Sequence, residues 1–336
     1  MGKYLFDILN ENEEFKIKVL TRRHKGVKFS EFIDRVSYLP KAFFIPYYNY
    51  LRKLKDLNEF DYIILNGVPS TIIGSWCLPR SLWEKCIVYI HGTELENYQR
   101  QSLFSKNTLY KNYFPLIKAS GKIVFCSKFL MDKFKENGVV GDFVTISNFI
   151  DKNTFYKIDD YPRKNILLSV GRITKTKGYD LMLDDFKELI NKGYDYKWWI
   201  IGEGPYKKSL EFKIKNLKLS KHVLLLGKKP IEQLNRYYSQ AKLFWLYSES
   251  ESFGLSYLEA NMCGIPFIAK KIPGLEEIRN NEVNSYYREN YGSFSDFIDF
   301  LESEDEKQQK ELEIITFARQ FSKQKFEEKW LDLLSK

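Results

Sequence analysis

Short apolar runs separated by amphipathic spans recur through both halves of this chain, and that alternation limits what it can fold into. In the first half the runs fall at 16–20, 62–65, 87–90, 123–126 and 143–146, with helix-compatible spans at 43–57 and 128–137. In the second half they fall at 165–170, 197–201, 222–226, 243–247 and 267–269, and 179–192, 205–217 and 231–239 carry helical periodicity. Strands that alternate with helices predict parallel sheets, because a parallel return needs a crossover connection. A polar connector with paired acids and a proline, Asp159-Asp160-Tyr161-Pro162, separates the halves. At 336 residues the chain has length for about two domains with cores of their own.

The densest chemistry lies between the last two of these strands. Glu251 and Glu259 flank Phe253-Gly254-Leu255, and a small-residue tail from Ala260 through Gly264-Ile265-Pro266 follows. Gly254 marks a tight turn and 255–262 reads as a short helix. A helix start there puts free backbone N–H groups and a positive dipole end beside Glu251, a place suited to phosphate. Glu259, two turns further on, suits a two-point grip on neighbouring sugar hydroxyls. Two glutamates alone would read as solvated charge; the glycine turn between them and the Gly-Ile-Pro behind them argue for a site.

The stretch resembles the Glu-x7-Glu motif of the family 4 retaining glycosyltransferases, with Tyr247 where that family usually has proline. The resemblance implies an α/β fold of the GT-B type, two Rossmann-like domains facing across a cleft. The expected division is an N-terminal acceptor-side domain at 1–157 and a nucleotide-sugar-binding domain at 158–318. A C-terminal helix at 319–336, part of a longer amphipathic span at 307–334, would brace the domains.

Other motifs agree. Val170-Gly171-Arg172 follows a strand, and Lys177-Gly178 precedes a helix; Arg172 as a planar fork and Lys177 as a mobile point charge suit a diphosphate. The family holds its donor diphosphate at these matching positions. Gly202, in Gly202-Glu203-Gly204, matches a strand-ending turn where backbone passes close to the cleft. His91 ends the 87–90 strand at the carboxyl edge of a parallel sheet, where ligands collect. By itself it reads equally as a histidine satisfied by a neighbouring carbonyl; the family resemblance places it against the donor sugar and its phosphate, with Glu94 nearby. The expected catalytic set is His91, Arg172, Lys177 and Glu251. The expected donor-binding set is Gly171, Gly202, Ser252, Phe253, Gly254, Leu255 and Glu259. Pro273-Gly274-Leu275-Glu276 resembles a later loop with another glutamate, and Ser147–Asp151 a crossing segment to which no ligand role is carried over.

The N-terminus departs from the family pattern. Residues 1–9 read as the helix that usually follows a first strand and a glycine-rich loop, and 17–21 as the second strand. A first strand and most of its loop are therefore missing from the match, and the expectation is that coding sequence continues upstream of Met1.

Charge and composition narrow the partners. The net charge is +9, and between Lys16 and Lys55 eleven basic residues face only Glu31 and Asp34. With the aromatic residues at 43–50, this basic 16–55 region suits an anionic membrane surface, although a solvated exterior over an aromatic core explains it equally well. No nucleic-acid recognition motif accompanies the charge. No apolar run reaches the ~20 residues of a spanning helix. Cys77, Cys86, Cys126 and Cys263 lack paired spacing and suit reduced core thiols, and the three histidines lack metal-ligand spacing, so neither a cofactor nor a protein-held metal is expected.

The function implied is transfer of a sugar, with retention, from a nucleotide-sugar donor to a glycan or lipid-linked acceptor. Cell-envelope polysaccharide or glycolipid synthesis, in the cytoplasm or on the inner face of the membrane, is the expected setting. A non-catalytic nucleotide-sugar-binding subunit and a nucleotide-sugar epimerase of the same architecture are the alternatives.

Overall fold

Five consecutive buried residues, Cys86–Ile90, set the pattern for the first half: a strand covered on both faces has no polar side and must sit inside a parallel sheet. The computed structural model describes residues 2–12, 19–22, 33–36, 57–92, 94–280, 283–303 and 307–335. They divide into two compact units, Met1–Asn148 with Phe326–Lys336, and Phe149–Lys325.

In the first unit β1 (Val19–Arg22) and β2 (Ile33–Val36) form a parallel pair with Val19 opposite Ile33. Among the described residues this pair bonds to no other strand. A parallel sheet of β3 (Ile63–Asn66), β4 (Cys86–Ile90), β5 (Lys122–Phe125) and β6 (Phe143–Thr145) runs in the order 3-4-5-6. Its helices are α1 (Gly2–Glu11), α2 (Gly67–Cys77), α3 (Glu94–Gln99), α4 (Leu103–Asn107), α5 (Tyr113–Ala119) and α6 (Lys128–Glu136). In α1, Leu5, Ile8 and Leu9 are buried at helical spacing. Ser127 caps α6 by accepting from the Leu130 amide at 3.2 Å. The expected helix at 43–57 lies, except for Leu57, outside the described residues, as does most of the basic 16–55 region.

The second unit carries a six-stranded parallel sheet in the order β12-β11-β10-β7-β8-β9. Its strands are β7 (Ile166–Val170), β8 (Lys197–Ile201), β9 (Val223–Gly227), β10 (Leu243–Trp245), β11 (Phe267–Ala269) and β12 (Ser285–Tyr287). The helices are α7 (Tyr179–Asn191), α8 (Lys207–Asn216), α9 (Leu234–Gln240), α10 (Leu255–Met262), α11 (Phe294–Ser303) and α12 (Lys307–Ala318); the last helix, α13 (Lys323–Leu334), only begins in this unit. Aromatic packing forms the core: Trp198 lies 4.7 Å from Trp245, which stacks on Phe294 at 4.4 Å. Among them Ser169 accepts from Trp198 Nε1 and donates to the Trp245 carbonyl.

The single helix expected at 307–334 is two helices. The chain breaks after Ala318, and Ser322 restarts it by accepting from the Lys325 amide at 3.3 Å. The Phe321 carbonyl freed by that break accepts from the Ile150 amide at 2.9 Å. From Phe326 onward α13 belongs to the first unit, where fully buried Trp330 meets the edge of Tyr89 at 5.2 Å. The expected α/β fold class with two Rossmann-like domains is the one observed. None of the cysteines forms a disulfide, and no helix among the described residues is long and apolar enough to cross a membrane.

Candidate active site

Chain order reverses in the second sheet between β7 and β10: from β7 the connections go outward through β8 and β9, then return to β10 and continue through β11 and β12. The loops after β7 and β10 therefore leave the carboxyl edge in opposite directions and open a crevice where ligands bind in such sheets. Nine of the eleven expected site residues come from these two loops and α10. Their frame is fixed by backbone, because the Glu249 amide donates to the Thr176 carbonyl at 2.9 Å and joins one loop to the other.

Lys177 ends a short turn, Lys175–Lys177, in the loop after β7. Its Nζ donates to Glu251 Oε1 at 2.5 Å. The same oxygen accepts from Ser248 Oγ at 2.7 Å, and buried Tyr257 donates to the Leu246 carbonyl behind it. Lys177 and Glu251 are about one-fifth exposed or less, so the pair is shielded but reachable from solvent. Arg172 is exposed and, among the described residues, makes no hydrogen bond or ion pair. An exposed fork and a fixed ammonium thus stand on one loop, an arrangement suited to a diphosphate.

Gly254 opens α10 with φ of 78°, and a Cβ there would lie 2.4 Å from Leu275 Cδ2. Only glycine fits both the turn and the space. Phe253 beside it is buried against Phe321, Ser252 is half-buried, and Leu255 is exposed at the helix start. The first amides of α10 are thus held at the crevice with no side-chain cap.

Glu259, one turn further into α10, accepts from the Tyr238 hydroxyl through Oε2 at 2.7 Å. Burial pushes its carboxyl up to about 7, against which the Tyr238 bond acts in the lowering direction. Gly171 and Gly202 lie back to back, and a Cβ on Gly202 would sit 1.8 Å from the Gly171 carbonyl oxygen. Gly202 thereby sets how closely the loops after β7 and β8 approach.

His91, in the first unit, follows β4. Its Nε2 is hydrogen-bonded to Asn66 Oδ1 at the end of β3, and its ring lies 4.0 Å from that of Tyr89. Burial pushes the imidazole down to about 4, so it is neutral near pH 7 and acts as a hydrogen-bonding group, not a cation toward phosphate. Glu94 ties the turn by accepting from the His91 amide at 2.8 Å and the Gly92 amide at 2.6 Å. The two carboxylate oxygens thus hold the backbone that carries His91.

Sequence reading missed Tyr238, Ser248 and Asn66 as partners of Glu259, Glu251 and His91. Ser248 lies three positions before Glu251 and was open to notice; Tyr238 and Asn66 reach the site only through folding. Tyr247, where the family has proline, is buried and donates to Asp185 Oδ2 at 2.9 Å. Arg288 clasps the same carboxylate at 2.9 and 3.1 Å. Among the described residues no three His, Cys, Asp or Glu side chains gather as a metal-binding group.

The sequence model for glycosyl transferases group 1 matches residues 151–320. An uncharacterized glycosyltransferase of Methanocaldococcus jannaschii is 31% identical over 195 residues, 57% of this chain and 50% of that protein. The N-acetyl-alpha-D-glucosaminyl L-malate synthase of Bacillus anthracis is 31% identical over 146 residues, 41% of this chain and 38% of that one. These alignments span half or less of the relatives' own length. In fold, sucrose-phosphate synthase from Thermosynechococcus elongatus superposes with a TM-score of 0.74 at 17% identity, covering 94% of this chain and 87% of that one. Anabaena HepE, solved with UDP and glucose, gives 0.71 at 18% identity over 90% and 86%.

Proposed function

The chain belongs to the glycosyl transferases group 1 family, and from that premise we propose that it moves a sugar from a nucleotide-sugar donor to an acceptor with retention at the anomeric carbon. The observation that carries the reading is the 2.5 Å Lys177–Glu251 pair at the sheet's reversal point, beside the glycine-opened start of α10. Arg172 and Lys177 stabilise the charge that grows on the leaving diphosphate, helped by the α10 amides; preorganised donors of this kind are the largest single contribution in many enzymes. Glu251 holds hydroxyls of the donor sugar, Glu259 grips the ribose, and neutral His91 contacts the sugar.

In a retaining transfer on one face, the bond from the anomeric carbon to the diphosphate oxygen breaks and the acceptor oxygen bonds to the same face. The acceptor proton goes to the leaving phosphate, so no separate base is assigned. The donor diphosphate displaces Glu251 as the partner of Lys177, which frees the carboxylate for sugar hydroxyls. One substitution in the pocket is made by the ligand itself.

The acceptor is a glycan or a lipid-linked molecule, in cell-envelope polysaccharide or glycolipid synthesis. Support comes from the relatives' names, which include a phosphatidylinositol monomannoside mannosyltransferase of Mycolicibacterium smegmatis. The basic 16–55 region is the proposed contact with an anionic membrane on its inner face. No cofactor or protein-held metal takes part in this scheme.

The test is thermal stability with UDP and with GDP, wild type beside Glu259→Ala. Ligand at a hundred times its dissociation constant stabilises by about 2.7 kcal/mol, enough to read. A shift with one nucleotide that is lost in the variant supports the donor pocket and identifies the base. No shift with either nucleotide in a folded sample counts against the reading.

A further inference from the structure

Leu103 and Phe104 are each 78% exposed, side by side at the start of α4. They are not loose ends. Ser102 caps the turn by accepting from the Ser105 amide at 3.2 Å, and the Thr108 amide donates to the Phe104 carbonyl at 2.9 Å. Downstream, Trp76 Nε1 donates to the Leu109 carbonyl at 2.9 Å, and Tyr110 and Tyr113 are buried, pinning the segment to the unit. The fold therefore holds two large apolar side chains outward while it anchors their neighbours. Trp76, itself 39% exposed, lies beside the same segment. Side chains of this kind, with an indole at the rim, are the composition of an interfacial membrane contact.

Along the chain beside them the charge has one sign. From Asn97 to Met131 the sequence contains Arg100, Lys106, Lys111, Lys118, Lys122 and Lys128 and no Asp or Glu. Lys122 is paired with Asp142. By contrast Arg100, Lys106, Lys111 and Lys118 have no carboxylate partner among the described residues. Lys106 and Lys111 stand at the rim of a cavity of about 410 Å³, walled by Tyr98, Tyr110 and Phe114. The Lys106 ammonium lies 5.2 Å from the Tyr98 ring centroid and donates to the Gln99 carbonyl at 3.0 Å, which fixes it beside that wall. The space is of the size that takes a small polar group.

We propose that this face of the first unit docks on an anionic phospholipid surface, with Leu103 and Phe104 entering the acyl boundary and Lys106 and Lys111 taking headgroup phosphates at the aromatic cavity. Apolar anchors beside uncompensated cations match such a surface in both hydrophobicity and charge, whereas a neutral protein partner would leave four cations unanswered. The patch is separate in sequence from the basic 16–55 region, and the proposal does not rest on the sugar-transfer reading.

The experiment is vesicle flotation of the full chain with phosphatidylcholine alone and with phosphatidylcholine plus phosphatidylglycerol. Leu103→Ser/Phe104→Ser and Lys106→Gln/Lys111→Gln are compared with wild type and with Leu181→Ser, an exposed leucine of the second unit. Wild type and Leu181→Ser are expected to float only with the anionic vesicles. The lysine pair lowers partitioning about thirtyfold at low salt and less at high salt. The apolar pair lowers it by about tenfold or more at either salt. Thermal stability, with and without UDP, is expected to match wild type in both variants, so lost docking is distinguishable from lost folding or an absent donor site. Equal flotation of both double variants with wild type would place the contact elsewhere and overturn the proposal. So would absence of wild-type binding, or a wild-type self-association that the apolar pair abolishes, which would assign the face to a second copy.

Discussion

The Tyr238 hydroxyl donates to Glu259 Oε2 at 2.7 Å, so the carboxylate at the end of the Glu-x7-Glu motif holds a partner before any nucleotide arrives. That bond favours the ionised form, but burial outweighs it and lifts the carboxyl from 4.5 to about 7. The unfolded chain then loses this proton near 4.5 while the folded chain keeps it until about 7. Protein stability is accordingly greatest below that window and falls as pH rises through it, by the linkage of proton binding to folding.

Ribose hydroxyls donate more strongly to a carboxylate than to a carboxylic acid, so nucleotide affinity follows the opposite sign. Titration calorimetry with the preferred nucleotide should show affinity rising from about pH 5.5 to a plateau above about pH 8. Glu259→Gln should flatten that profile. Tyr238→Phe removes the favouring bond and should move the rise to higher pH. A wild-type affinity flat across this range would remove ionised Glu259 from the ribose grip.

Lys177→Ala and Glu251→Ala should each abolish transfer while leaving a folded protein. The pair is shielded but not sealed, so the expected loss of stability is about 1–2 kcal/mol. The double variant should be no less active than either single one, because each already removes the unit. Sugar-nucleotide turnover and thermal melts check this together; full activity in either single variant would falsify the residue assignment.

Gly254→Ala forces a side chain into a backbone with φ of 78° and toward Leu275 at 2.4 Å. The strained conformation costs on the order of 1–3 kcal/mol, and relief requires the start of α10 to move. The expected result is a lower melting temperature with a larger proportional loss of donor affinity. Equal losses in a distant destabilised variant would mean that the amides of α10 do not face the donor.

Tyr247→Phe removes the hydroxyl that donates to Asp185 but leaves the carboxylate held by Arg288. Stability should fall by about 1–2 kcal/mol with KM for the donor unchanged, because the hydroxyl is spent on Asp185 of α7. A rise in KM without a change in stability would place Tyr247 in the pocket itself.

Much of the second unit was legible because most of its strands are short, largely apolar and spaced by clear helices; 197–201 and 267–269 match β8 and β11 residue for residue. The strands that escaped have a physical reason. β2 holds Asp34 and Arg35 between Ile33 and Val36, and β12 is Ser285-Tyr286-Tyr287, so neither reads as an apolar run. The stop between α12 and α13 escaped because Gln320-Phe321-Ser322 keeps helical periodicity; only the Ile150 amide, more than a hundred positions away, explains why the Phe321 carbonyl leaves the helix. The motif residues of the site were visible as types and spacings. Their partners Tyr238 and Asn66 were not, since Tyr238 meets Glu259 from another helix and Asn66 meets His91 from the neighbouring strand, and neither carries a local pattern.

The bond between the Glu249 amide and the Thr176 carbonyl uses no side chain from either loop. Whatever residues mutation substitutes at Lys175, Thr176, Glu249 or Ser250, short of proline at Glu249, the two loops remain stitched at the same spot. The crevice therefore separates tailoring from framing: ligand preference can drift through the exposed groups while the backbone bond between the loops is retained.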